Sequence, residues 1–248
     1  MEVHHHSHTE RKKFTHYLWE FLMLFLAVTL GFFVENQREH MAEGKREKQF
    51  MISMVQDLKT DTAIFNASLA GHQESNRMTD TLISLLKSAD RNKNSAHIYY
   101  LARNIPFYDN GIPMMAKTYT QMKSSGNLRL VNDMDLLDTL GIYYDFLPAY
   151  NTLGAGRMQF ENRHDLFQDY YKLFDAEVFE KMMNPANESG LPDGDPPLLS
   201  SDPIIINQVC MRFHTMYATK TVVNGTIRNF IRIAVRLLQK IQREYHIQ

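Results

Sequence analysis

The chain has 248 residues, 44% of them hydrophobic and 22% charged, and a formal net charge of −1. That is enough apolar material for one sizeable core, while the near-neutral balance excludes nucleic acid as the main partner, because phosphate binding needs a basic surplus. The single cysteine, Cys210, excludes an internal disulfide and reads as a small buried hydrophobe.

Residues 1–16 form a basic, histidine-rich tail. His4, His5, His6 and His8 are reinforced by His16, and neutral imidazoles this close can hold a divalent transition metal or gain charge as pH falls. A tail without any ligand role is the competing reading.

Residues 17–34 (YLWEFLMLFLAVTLGFFV) are apolar apart from Glu20 and Thr29. As a helix they rise about 27 Å, enough to cross a hydrocarbon core with its interfacial ends counted. A cleaved signal peptide would end in small residues, whereas this run ends Gly31-Phe32-Phe33-Val34-Glu35. A buried core helix would not need Tyr17 and Trp19 at one end with Arg11, Lys12 and Lys13 outside them, the belt and flank of a bilayer span. Glu20 lies one turn in, where it either reaches the headgroups or marks an intramembrane proton or partner site. Ala27 and Gly31 form a small-xxx-small pair in line with Leu24 and Glu20, the pattern of a packed partner helix or homo-oligomer; small residues facing lipid by chance are the alternative. The basic count on the two flanks is nearly tied, so the short tail decides the orientation: N-terminus in the cytoplasm, the domain at 35–248 outside.

Beyond the span, Met51, Val55, Leu58, Thr62, Phe65 and Leu69 recur at steps of three and four, and Met78, Leu82 and Leu85 resume the pattern. This predicts one long helix from the membrane to about Lys87, with Gly71 as the place where it can break. A short helix over 95–104 stops before Pro106. Another starts at Pro113 and ends at Ser124-Ser125-Gly126, where glycine takes the left-handed cap. Asn132 or Asp133 caps the next helix, whose stripe runs from Leu136, Leu140 and Tyr143 past Pro148 to Phe160, His164, Phe167, Tyr171 and Phe174, with a kink rather than a stop at the proline. Residues 184–203 hold five prolines and read as a loop. Asp202-Pro203 opens the last helix, which Ile206, Val209, Phe213, Met216, Val223, Ile227, Ala234 and Ile241 carry to the C-terminus. The expected fold is all-α: a transmembrane helix followed by an up-down four-helix bundle with long helices.

Two charge stripes test that topology. Glu35, Glu39, Glu43 and Glu47 step by four along the membrane-proximal helix, and Arg228, Arg232, Arg236 and Lys240 step by four along the last. Each repels itself, so antiparallel helices would pair Lys240 with Glu35 and Arg228 with Glu47. Solvated faces are the competing reading, since Lys45, Arg46 and Lys48 offer local partners; a third places the basic C-terminus on anionic headgroups.

Catalytic signals are few. Glu161-Asn-Arg-His164 is half of what a di-iron bundle uses, and the second helical E-x-x-H is missing, so His164 and Arg157 read as polar interruptions of the seam. No nucleophile elbow, phosphate-binding glycine loop, zinc-protease helix or CxxC pair occurs. With about 16 residues before the span there is no output module, so a non-enzymatic scaffold or sensor-like protein working through partners is the leading expectation, and a metal-binding membrane protein the alternative.

The opening MEVHHH, the run HYLWEFLMLFLAVTLGFFVENQREH and the later KSSGNLRLVND resemble an uncharacterised family of small, single-span membrane proteins from Gram-negative bacteria. That resemblance implies a native histidine-rich tail and a bacterial inner-membrane anchor; combined with the orientation read from the flanking charges, the domain is expected to be periplasmic. It implies no activity and no site residues.

Overall fold

The computed structural model describes residues 14–108, 114–153, 155–183 and 189–247. His4, His5, His6 and His8 lie outside the described residues. The chain divides into two units, Met1–Gln49 and Phe50–Gln248. Every extended element among the described residues is helical, the one β-bridge being the isolated pair Met183 and Ser189.

In the first unit, helix α1 (Phe14–Lys87 in full) begins at Phe14, and every described side chain up to Ala42 is exposed. Its early part is long and apolar enough to cross a membrane. Thr29 satisfies its hydroxyl on its own helix, donating to the Phe25 carbonyl at 2.7 Å.

In the second unit α1 continues unbroken through Gly71 to Lys87. A helical glycine costs about 1 kcal/mol relative to alanine, and packing on both sides of it offsets that. Helices α2 (Ser95–Asn104) and α3 (Lys117–Ser124) form the return leg. Their direction is fixed by α1 itself: Thr118 N donates to Asp57 Oδ2 at 2.9 Å and Met115 N to Asp61 Oδ1 at 2.6 Å. No side chain of its own caps α3, so these carboxylates serve the amides at its start from across the fold. Gly126 takes the left-handed conformation, φ 70°, after α3.

Helix α4 (Met134–Leu153) starts with Asp133 Oδ1 accepting from Leu136 N at 2.9 Å and runs through Pro148. Helix α5 (Ala155–Tyr170) follows, and residue 154, where the expected single helix would be continuous or broken, lies outside the described residues. A short helix, α6 (Ala176–Lys181), capped by Asp175, precedes the proline-rich loop and was not expected. Tyr99 anchors that loop: its hydroxyl donates to Pro197 O and accepts from Asp175 N, at 3.1 and 3.0 Å. Helix α7 (Pro203–Tyr245) opens on the expected Asp202 cap and closes with His246 at φ 50°.

Two apolar clusters fill the unit. One joins Met51, Leu58 and Phe65 of α1 to Tyr119, Leu140, Tyr143, Ile227, Phe230 and Ile241. The other joins Leu82 and Leu86 to Ile98, Tyr99, Leu166, Leu173, Val209 and Phe213. Facing pairs along α1 and α7 are Phe65 with Phe230, His72 with Asn224 and Ser75 with Lys220, so the two helices run antiparallel in one register.

The phase of α5 differs from the one the sequence predicted. Phe160, Phe167 and Tyr171 are exposed, at 63%, 47% and 68%, while Leu166, Asp169, Tyr170 and Leu173 are buried. Both faces carry apolar residues, and the buried one is chosen by Asp169, which α7 holds through Arg212 and Gln208.

Candidate functional site: a buried polar layer and two clefts

Between the apolar clusters the seam of α1 and α7 turns polar. His72, Ser75 and Thr79 of α1 are buried with Thr219, Lys220 and Asn224 of α7. His72 Nδ1 sits 2.6 Å from Asn224 Oδ1; with the amide presenting its carbonyl oxygen, the ring nitrogen carries the proton. Lys220 Nζ donates to Ser75 Oγ at 2.5 Å, and Asn162 of α5 donates to Thr219 at 2.8 Å. These residues occupy the helical positions that Phe65, Leu82, Phe213 and Ile227 occupy elsewhere. A serine beside a lysine amine is a known nucleophilic pair. Here, however, both residues are 0% exposed, which gives a substrate no approach. An amine in an apolar seam is costly unless its donors are met, so a helix shifted along its partner would leave it unmatched. The layer therefore fixes register.

A second node is Asp61, also fully buried, where Tyr143 donates from α4 at 3.0 Å and Met115 from the α3 entrance. Burial pushes its carboxyl above the usual range, against the pull of those two donors and with the charge of Asp57 adding to the rise. Burial likewise pushes the Tyr143 and Tyr144 phenols far up. Toward the other end, Asp169 receives Arg212 Nε at 2.9 Å, Gln208 at 2.7 Å and Lys172 at 3.0 Å. Burial pushes that carboxyl up, but Arg212 and Lys172 outweigh it and leave it low.

Among the described residues, clefts open on the unit at two places that concern the site. One, of about 420 Å³, is lined by Ile142, Phe146, Val222, Phe230 and Ile233 between α4 and α7. The other, of about 390 Å³, lies among α2, α5 and α6 and is lined by aromatic rings and Arg103.

The residues singled out by sequence fall as follows. Trp19, Glu20, Ala27 and Gly31 are exposed on α1, and a Cβ at Gly31 would meet nothing within 4 Å. Glu20 is taken by His16 Nε2 at 2.9 Å, one turn toward the tail. Glu35 is forked by Arg38, with Nε to Oε2 at 2.9 Å. Glu39 is exposed, Glu43 half-buried and Glu47 buried. Arg228, Arg232 and Arg236 are exposed, and Arg232 reaches Asn229 at 3.0 Å. Lys240 is held by Asp133 and Asp135, at 2.8 and 2.6 Å. The α1–α7 register carries Lys240 to the turn around Val55, so the acids available to it come from the start of α4. Equal stripe lengths could not reveal this, because the apolar seams set the register.

Glu161 and His164 are exposed, and no group of three or more His, Cys, Asp or Glu residues that could hold a metal occurs among the described residues. Cys210 is buried, with its thiol pushed up by burial. The polar layer escaped sequence reasoning, although its signal was legible: His72, Ser75 and Thr79 sit at seam spacing, and so do Lys220 and Asn224.

Compared with family models, with curated proteins and with solved structures, the chain matches none of them.

Proposed function

We propose that the protein is a single-span, membrane-anchored helical domain that performs no catalysis and works as a scaffold or sensor-like element through protein partners. Its domain is read as an up-down-up-down bundle of α1, the α2–α3 leg, the α4–α5 leg and α7. The antiparallel contacts of Asp57 and Asp61 with the α3 entrance, and of α7 with α1, support that reading. The anchor is residues 17–34, with N-terminus inside and domain outside, and the family resemblance adds a Gram-negative inner membrane.

One observation carries the partner reading. Helix α5 turns an aromatic stripe, Phe160, Phe167 and Tyr171, outward while a second apolar face fills the core. Contiguous exposed apolar surface on a soluble domain marks an interaction site. The small-residue line of Glu20, Ala27 and Gly31 offers a second contact, within the bilayer. A metal-binding role for the tail is the second reading, resting on the density of His4, His5, His6 and His8.

Affinity purification from detergent-solubilised native membranes, read by mass spectrometry, tests the proposal. The expected result is a stoichiometric protein partner, or a second copy, that is retained by the native chain and lost from Phe160→Ser. A chain recovered alone as a monomer, or an identical set of proteins on Phe160→Ser, would contradict it.

A further inference from the structure

We propose that the cleft among α2, α5 and α6 is a binding site for a small aromatic carboxylate. This goes beyond the partner reading and does not depend on it, since the cleft lies within the second unit and needs neither a membrane nor another protein.

The cavity, about 390 Å³, falls in the range of small-molecule sites, about 300 to 1,000 Å³. Its walls are rings. Tyr170 and Phe174 are buried, and their centroids lie 4.9 Å apart; Phe179 stacks on Phe174 at 5.4 Å and approaches Tyr170 at 5.9 Å. Phe167 and Tyr171 stand exposed at the rim. Aromatic rings prefer offset or edge contacts at centroid separations of about 4.5 to 7 Å, so this wall presents faces and edges suited to a flat apolar body.

Arg103 is the polar element. Its guanidinium carbon sits 5.4 Å from the centre of the Phe179 ring, and its Nε is buried with no hydrogen-bond acceptor. Acceptors on α2 and around α6 have partners of their own. The Ala102 carbonyl takes the Tyr170 hydroxyl at 2.5 Å, the Asp175 carboxylate caps α6 at 2.8 Å, and Glu177 holds Lys181 at 2.6 Å. A buried donor left unmatched is unfavourable, more so on a charged group. A carboxylate placed over the ring plane completes it, because the guanidinium fork matches two carboxylate oxygens. One positive charge in an otherwise apolar cleft calls for one negative charge on an apolar body.

The test is calorimetry on the full-length protein in detergent, with naphthoate as probe and the neutral isostere naphthamide as its control. The expected result is saturable one-to-one binding of naphthoate, with naphthamide about tenfold weaker or more. Arg103→Gln should bring naphthoate down to the naphthamide level without altering naphthamide, and Phe179→Leu should weaken both. No saturable heat with naphthoate, or equal binding of the two probes by the native chain, would overturn the proposal. Tighter binding of a peptide ending in phenylalanine than of naphthoate would do so too, by assigning the cleft to a polypeptide. The comparison of the two probes on the native chain needs no variant, so the outcome stands even where a substitution unfolds the domain.

Discussion

Lys220 Nζ lies 2.5 Å from Ser75 Oγ, and neither residue has any exposed surface. The contact joins residues 145 positions apart and sits beside the His72–Asn224 pair in the middle of an otherwise apolar seam. Ser75→Ala removes one acceptor from a buried amine and should destabilise the domain by about 1 to 3 kcal/mol, measured by urea denaturation in detergent. Ser75→Thr keeps an oxygen there and should recover much of that. Equal losses for the two variants would mean that the contact contributes nothing beyond side-chain volume.

His72 and Asn224 give a second test of the same layer. Either one changed alone to leucine leaves a polar partner unmatched, at about 1 to 3 kcal/mol. The double change His72→Leu with Asn224→Leu makes the position apolar on both sides and should cost less than the sum of the singles. Strict additivity in that double-mutant cycle would show that the two side chains do not interact.

Asp61 makes stability depend on pH with a defined sign. Burial raises its folded-state pKa, so its contribution is fully present below the unfolded carboxylate value and is lost as pH rises through the folded one. Comparison of native and Asp61→Asn unfolding midpoints should therefore move in favour of the asparagine variant as pH rises above the ordinary carboxylate range. A difference that stays constant, or that moves the other way, would show that Met115 and Tyr143 hold the ionised form better than burial disfavours it.

Lys240 is held by Asp133 and Asp135. Asp133 also caps α4 at Leu136, and Lys240 holds its carboxyl low. Asp133→Ala should lower the melting temperature more than Asp135→Ala, whose target side chain is 86% exposed. Asp133→Asn, which keeps the cap and loses the charge, should fall between native and Asp133→Ala. Because the folded-state pKa of Asp133 is depressed, its share of stability is present above the unfolded value and fades as pH falls through the folded one.

Most helix positions were legible because three-and-four spacing and end signals coincide. Asp202-Pro203 caps and starts α7 where the sequence places it, and α2 ends before Pro106. What escaped was long-range. The seam of α5 is apolar on two sides, so spacing alone could not say that Leu166 and Leu173 turn inward while Phe167 turns out; Arg212 and Gln208 of α7 decide it through Asp169. The partner of Lys240 could not be read for the same reason, since stripes of equal length suit any register. Helix α6 is too short for periodicity to mark. All but one of the residues lining the Arg103 cleft fall between Phe167 and Phe179; Arg103 itself comes from α2, and no local pattern encodes that juxtaposition.

The histidine tail is tested on the full-length chain in detergent. If His4, His5, His6 and His8 form a metal site, zinc or nickel should bind with a dissociation constant of micromolar order, and binding should be lost below about pH 6, where imidazoles gain protons. Alanine at all four positions should abolish it. Undiminished binding after that change would place the metal elsewhere.

Residues 17–34 are proposed to anchor the domain in a membrane. The most direct measurement is alkaline extraction of membranes carrying either the full chain or a chain beginning at Glu35. The full chain should stay in the membrane pellet, and the shortened chain should be released as a folded helical protein by circular dichroism. Release of the full chain by the alkaline wash would contradict the anchor, and with it the reading of the protein as a membrane-tethered domain.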